Sequence, residues 1–218
     1  MLDLTLSKSP ESSIKLLCLG AHSDDIEIGC GGAILTLLER YSKVSVDWVV
    51  FSSSAERELE ARESAAIFLE GSLESRVVVK SYRDGFFPSQ GTLIKDDFEA
   101  LKEFPSPDLI LTHHREDRHQ DHRVVSDLTW NTFRDHLILE YEIPKYDGDL
   151  GHPNLFVPLA ENVCAKKIDT IRECFRSQRH KQWFDDLTFR SIMRVRGIES
   201  NSPTQYAEAF YCRKALLS

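Results

Sequence analysis

Three titratable side chains, His22, Asp24 and Asp25, fall within four positions, directly after an apolar run that stops at Gly20. A second cluster, His113-His114-Arg115-Glu116-Asp117-Arg118-His119-Gln120-Asp121-His122, follows another apolar run. Imidazole nitrogen and carboxylate oxygen are the donors a hard or borderline divalent metal takes. Two neighbouring carboxylates repel a phosphate. His22 and Asp25 are three positions apart, as are His119 and His122, and in a helical turn side chains at that spacing share a face. Together the two turns can supply three ligands with a fourth position open, the arrangement of a catalytic rather than a structural zinc. Plainer readings exist: an H-x-D-D turn can serve only to cap a helix, and H-x-x-H pairs arise by chance on surface helices. The metal is favoured because both clusters follow strands of one inferred sheet.

Those strands come from the apolar pattern. Residues 14–20 are apolar on both faces, as a central parallel strand is. After the glycines Gly29, Gly31 and Gly32, Ala33, Ile34, Leu37, Leu38 and Tyr41 recur at helical spacing. Further strands are predicted at 44–51, 76–80 and 108–112, and helices at 55–70, 93–104 and about 123–135. Four alternations of strand and helix imply right-handed βαβ units and a parallel sheet. Beyond Leu137 come strands at 137–143 and 155–158 around a loop from Pro144 to Pro153. A helix over 161–178, a shorter one near 184–195 and a strand at 206–213 complete the chain. The expectation is an α/β, Rossmann-like three-layer fold with a mostly parallel sheet, its active site at the carboxyl ends of the strands. One domain is expected over residues 1–218.

Composition narrows the function classes. With 41% hydrophobic and 28% charged residues the chain is that of a globular protein, not a disordered one. A net charge of −8 argues against nucleic acid or an anionic membrane as partner. Cys18, Cys30, Cys164, Cys174 and Cys212 are scattered, without a C-x-x-C pair, and read as reduced thiols. Residues 1–13 lack a basic-then-apolar leader. No apolar run approaches the ~20 residues that span a bilayer. A soluble, cytoplasmic protein is the expectation.

The stretch Ala21-His22-Ser23-Asp24-Asp25-Ile26-Glu27-Ile28-Gly29-Cys30-Gly31-Gly32 resembles the opening motif of the zinc-dependent N-acetylglucosaminyl deacetylases, the PIG-L/LmbE-like family. Asp117-Arg118-His119-Gln120-Asp121-His122-Arg123 is similar to that family's second motif. Arg57 with Glu60-Ala61, Asp84-Gly85, Pro107-Asp108, Pro153-Asn154, Lys167, Ser177-Gln178 and Tyr206-Ala207-Glu208-Ala209-Phe210 fall in family order. The resemblance thus covers about 14–213. Ser23 and Gln120 depart from it, since both positions are often proline in the family.

The resemblance implies His22, Asp25 and His122 as metal ligands for Zn2+, with Fe2+ the alternative such a donor set accepts. It implies Asp24 as general base and His119 as the group that stabilises the developing charge and serves the leaving amine. A protonated His119 is expected to contribute roughly 3–4 kcal/mol as an oxyanion donor. Asp121 is expected to set the tautomer of His119 and raise its pKa, its plainer role being a helix N-cap. Arg57 resembles the family's substrate-facing arginine, or is a solvated helix charge. Asp84 is expected to hold sugar hydroxyls, or only to make an Asp-Gly turn. Asn154 and His152 lie in a loop of the kind where specificity is decided. His113 and His114 are spare ligands, or core and loop residues. Glu27 caps the first helix or supports the metal ligands. The partner is expected to be a small N-acetyl sugar, with a homo-oligomer open. Two further readings stand beside this one: an amidase acting on a larger N-acyl conjugate, and a Rossmann-type binder whose glycines cradle a nucleotide.

Overall fold

The computed structural model describes Leu6, Ser9 and residues 11–216. The leader expectation for residues 1–13 and the ends of the 1–218 span lie largely outside those residues. Strands β1 (Ser13–Gly20), β2 (Lys43–Val50), β3 (Glu74–Val79), β4 (Leu109–His113), β5 (Leu137–Tyr141), β6 (Leu155–Leu159) and β7 (Tyr206–Cys212) form one sheet. Their order is β3-β2-β1-β4-β5-β7-β6. The first five run parallel, and β7 is antiparallel between β5 and β6. The α/β, mostly parallel architecture expected from the pattern is the one observed.

Two apolar cores flank the sheet. Ile14, Leu16 and Cys18 of β1 enter one core with α1 (Asp25–Arg40), α2 (Ala55–Phe68), α5 (Glu161–Cys174) and α6 (Asp186–Glu199). Leu17 and Leu19 enter the other with α3 (Gly91–Leu101) and α4 (Gln120–Thr132). Strand β1 is therefore buried on both faces, which is why it reads as an unbroken apolar run. From β1 the chain steps outward through β2 to β3, then returns to place β4 on the opposite side of β1. The carboxyl ends of β1 and β4 thus flank a topological switch point, where open α/β sheets bind ligands.

Helix α1 begins at Asp25, well before the apolar spacing starts at Ala33. Its glycines are internal and serve close packing. A Cβ at Gly29 would collide with the Tyr141 ring, one at Gly31 would lie 2.6 Å from Phe68, and one at Gly32 2.7 Å from Leu159. Since these glycines face protein, the nucleotide-cradle reading falls. Helix α4 likewise begins at Gln120, before the predicted 123, which sets Asp121 and His122 in its first turn. Helix α5 stops at Cys174, where Phe175 leaves helical backbone (φ −86°, ψ 63°), and a short 3-10 turn, Arg176–Gln178, completes the predicted segment. Among the described residues no helix is long and apolar enough to cross a membrane.

Candidate metal centre and active site

The turn after β1 is tied to the end of β2, since Phe51 N donates to Gly20 O at 3.0 Å and Ser52 N to Ala21 O at 2.8 Å. It folds back on itself through His22 N, which donates to Asp25 Oδ2 at 2.6 Å. After β4, Asp117 Oδ1 accepts from His119 N at 2.7 Å, and His119 Nδ1 caps α4 by accepting from Asp121 N at 3.3 Å. Local hydrogen bonds thus shape both turns before any ligand is considered.

Across the switch point three atoms converge. His22 Nδ1 lies 3.2 Å from Asp25 Oδ2 and 3.2 Å from His122 Nε2, and His122 Nε2 lies 3.5 Å from Asp25 Oδ2. A tetrahedral ion with ligand bonds of about 2.0–2.1 Å sets its ligands roughly 3.3 Å apart. The triangle fits that face. The far nitrogen of each ring is turned to a carboxylate: His22 Nε2 to Asp84 Oδ1 (3.1 Å) and Asp121 Oδ2 (3.3 Å), His122 Nδ1 to Asp117 Oδ2 (2.9 Å). Carboxylates in these positions hold the protons on the far nitrogens and aim lone pairs inward, as partners of metal-bound histidines do. Three ligand atoms converging at this spacing in a buried site could hold a divalent cation, and a ring proton shared between them also satisfies the contacts.

The proton affinities carry the same message. Burial opposes charge on His22, but Asp25, Asp121 and Asp84 outweigh it and hold its pKa well above the ordinary value. Burial and the neighbouring His113 push His122 down to about 3. Burial also works against ionised Asp25, yet His122, His113 and His22 keep its pKa well below the usual range. The hydrogen bond from His22 takes Asp84 down to about 2. Without a cation, then, the triangle takes up a proton on His22.

Around the triangle several expectations change. Asp121 does not face the ring of His119. Its carboxylate accepts from Gly85 N (2.6 Å), Phe87 N (3.1 Å) and His22 Nε2, so it anchors the loop after β3 and orients His22. The N-cap of α4 is His119 itself, not Asp121. With Nδ1 of His119 accepting a backbone N–H, its ring proton sits on Nε2. Burial and the charge of His22 lower its pKa rather than raise it. Nε2 is thus the ring atom of His119 left to donate toward the centre. His119 packs edge-on to His22 (4.8 Å) and stacks on His122 (4.6 Å), so it borders the triangle.

Arg57, in the first turn of α2 and capped by Ser54, is not a solvated charge: its Nη2 donates to Asp24 Oδ1 at 2.5 Å. It grips the carboxylate of Asp24, the neighbour in sequence of Asp25. Asn154 pairs with the sheet at the end of β7. Its Nδ2 donates to Cys212 O (3.1 Å) and its Oδ1 accepts from Cys212 N (2.8 Å), so its amide is spent on the backbone of β7. Asp84 does reach the centre, with its side chain 67% exposed at the mouth. His113 is fully buried; its Nε2 accepts from Ala21 N at 2.9 Å and its ring stacks on His122 at 3.9 Å. The same Nε2 lies 3.2 Å from Asp25 Oδ2, so His113 also faces the carboxylate of the triangle. Glu27 is fully buried, and its oxygens have no hydrogen bond that caps the helix.

Two residues escaped the sequence reading. Asp117 stood inside a motif but signalled nothing by itself. Lys145, from the loop after β5, donates to Asp117 Oδ2 (2.9 Å) and Asp149 Oδ2 (2.5 Å), and no local pattern announces it.

Comparison with known proteins now bears on this geometry. The family model described as PIG-L, GlcNAc-PI de-N-acetylase, matches residues 17–133, more than half of the chain. The chain belongs to the PIG-L family. That match contains both turns of the triangle. Among solved structures, this PIG-L chain is similar to N,N'-diacetylchitobiose deacetylase from Pyrococcus horikoshii, with 23% identity and a TM-score of 0.69, covering 91% of this chain and 83% of that one. It is similar to the 4-carboxy-2-hydroxymuconate hydratase GalB from Pseudomonas putida KT2440, with 19% identity and a TM-score of 0.69, covering 94% and 98%. It is also similar to the A40926 pseudoaglycone deacetylase Dbv21, with 16% identity and a TM-score of 0.68, covering 94% and 100%. Identities this low establish the shared fold. One of the three proteins is a hydratase, so the reaction must be argued from the site.

Proposed function

We propose that this PIG-L protein is a divalent-metal-dependent hydrolase that removes the acetyl group from an N-acetylglucosamine-type sugar. The observation that carries the reading is the triangle of His22 Nδ1, Asp25 Oδ2 and His122 Nε2, with edges of 3.2, 3.2 and 3.5 Å and both far nitrogens given to carboxylates. Two imidazoles and one carboxylate suit Zn2+, and Fe2+ as the alternative. A divalent cation held there supplies Lewis acidity and a water of pKa ~7. The side chains do the rest. Asp24, held at one oxygen by Arg57, accepts a proton from the attacking water. His119 Nε2–H donates to the oxyanion that forms as the acyl carbon becomes tetrahedral. When the C–N bond breaks, the proton taken by Asp24 passes to the amine, which leaves neutral, and the acetic acid formed releases its own proton to solvent as acetate. Asp84 at the mouth is placed to accept from sugar hydroxyls.

The test is amine release from a panel of N-acetylglucosaminyl compounds, with metal content measured on the same preparation. Acetate and free amine in equal amounts, dependent on bound metal, are expected. Fully metallated protein that releases acetate from no member of the panel would overturn the reading.

A further inference from the structure

The loop from Pro144 to Pro153 is anchored at both ends. Ile143 before it lies in the core, and Asn154 after it donates its N–H to Phe210 O at 3.0 Å. Between these anchors the loop runs outward, with Tyr146 72% and Leu150 46% exposed. On one side Arg196 Nη2 holds Gly151 O at 3.2 Å. On the other, Lys145 and Asp149 reach back to the segment after β4 that carries Asp117, His119 and His122.

Two contacts make a latch there. Lys145 Nζ donates to Asp117 Oδ2 at 2.9 Å, and Asp149 Oδ2 accepts from Arg118 N at 2.7 Å. Lys145 Nζ also donates to Asp149 Oδ2 at 2.5 Å, and Gly148, at a φ of 61°, lets the chain turn between the two. The side chains of Lys145 and Asp149 are each 9% exposed, and that of Asp117 is 3% exposed. Buried ion pairs contribute little net stability over apolar residues of the same volume. What this one supplies is position.

Asp117 carries the latch to the centre. Its Oδ1 accepts from His119 N (2.7 Å), and its Oδ2 is shared by Lys145 Nζ and His122 Nδ1, both at 2.9 Å. Three donors on one carboxylate restrain one another, so loosening one frees the other two. His122 turns Nε2 to the triangle with its opposite edge on Asp117, and the aim of the ring depends on a carboxylate that Lys145 holds from behind. The dependence also runs outward. With its Nε2 lone pair committed, His122 is the stronger Nδ1–H donor and keeps Asp117 in place for Lys145.

We propose that Lys145 is a positioning residue that couples the loop after β5 to metal occupancy of the centre. The latched loop favours bound metal, and bound metal favours the latched loop. The inference rests on the metal-site reading above. Coupling of this kind is reciprocal: the factor by which the latch tightens metal binding equals the factor by which metal stabilises the latch.

Both sides of that equality are measurable. Zn2+ affinity is read by competition with a chelating dye in wild type, Lys145→Met, Lys145→Arg and Tyr146→Ala, each checked for fold by circular dichroism. Amide hydrogen exchange is followed at Arg118, whose N–H belongs to the latch, and over 145–151, with and without Zn2+. Zn2+ is expected to slow exchange at these amides about tenfold in wild type. Lys145→Met, similar in length and uncharged, is expected to bind Zn2+ about tenfold more weakly, the low end for groups that orient metal-bound histidines. Its loop is expected to exchange at one rate with or without the ion. Lys145→Arg restores part of the affinity, and Tyr146→Ala, altered at an exposed position of the same loop, keeps all of it.

Unchanged or tighter Zn2+ binding by Lys145→Met overturns the proposal, as does wild-type loop exchange that ignores Zn2+. An equal loss of affinity in Lys145→Met and Tyr146→Ala also overturns it, because any disturbance of the loop would then act alike. If Lys145→Met does not fold, the wild-type exchange rates decide. All these failures leave the metal centre standing, whereas wild type that binds no Zn2+ there removes the centre and the latch together.

Discussion

Helix α1 touches two buried polar clusters, and they differ in completeness. Midway along it, Glu208 accepts from Gly32 N (2.8 Å) and Ala33 N (2.6 Å), and Lys167 donates to Glu208 Oε1 (2.5 Å) and Ile28 O (2.7 Å). Cation, carboxylate and helix backbone answer one another, and nothing remains to bind. At the start of the same helix, Asp25, His22 and His122 turn three acceptor atoms toward one point with no fixed cation between them. Burial of charge is tolerated in both places, since buried polar groups must be paired. The first cluster is paired within the chain, so its work is structural. The second has the donor set and spacing of a divalent-metal site, and the proposed function rests on it.

The sharpest break of this contrast acts on the incomplete side. Asp24→Asn is expected to keep its metal and lose 10²–10⁴-fold in kcat, the range of a lost general base, about 2.7–5.4 kcal/mol of barrier. Steady-state rates and metal content on one sample decide it, and near-normal kcat would make Asp24 a structural partner of Arg57. On the complete side, Glu208→Ala strands Lys167 in the core. Denaturant unfolding is expected to report a loss of about 3–5 kcal/mol, while metal bound per folded molecule stays unchanged. A loss of metal with little loss of stability would reverse the roles assigned to the two clusters.

Smaller effects refine the contrast. Asp117→Asn keeps a hydrogen bond to His122 but weakens its orientation and basicity. Metal affinity, read by competition with a chelating dye, is expected to fall about 10–100-fold; an unchanged affinity would remove Asp117 from the centre. The smallest effect is a proton count. His22 without metal has a raised pKa, so it is protonated at neutral pH, and a cation must displace that proton. Affinity should therefore rise with pH, by up to about tenfold per unit, until pH passes the raised pKa. Calorimetry in two buffers of different ionisation enthalpy should show proton release, and heats independent of buffer would contradict it.

Much of this was legible in the order of residues. The run at 14–20, apolar on both faces, declared a central parallel strand because β1 is sandwiched between two cores. The two polar clusters declared a shared edge because each follows a strand. What stayed hidden depends on where long side chains go after the backbone is placed. Asp121 sits two residues from His119, yet its carboxylate is captured by Gly85 N and Phe87 N, from a loop distant in sequence. Asn154 lies in a loop of the functional kind, yet its amide pairs with the β7 backbone at Cys212 through one donor and one acceptor contact. Arg57 was expected at the substrate or as a solvated helix charge, and its salt bridge to Asp24 was not foreseen. The start of α1 was misplaced because glycine ordinarily weakens a helix, and only the packing of Tyr141, Phe68 and Leu159 explains why it is needed there.

Metal stoichiometry in wild type and in His122→Ala, measured by elemental analysis after equilibrium dialysis against Zn2+, probes the triangle itself. Wild type is expected to hold one equivalent per chain at this centre. The His122→Ala protein, shown to be folded by its circular dichroism, is expected to hold none. Full occupancy in that folded variant would take His122 out of the ligand set, and the triangle with it.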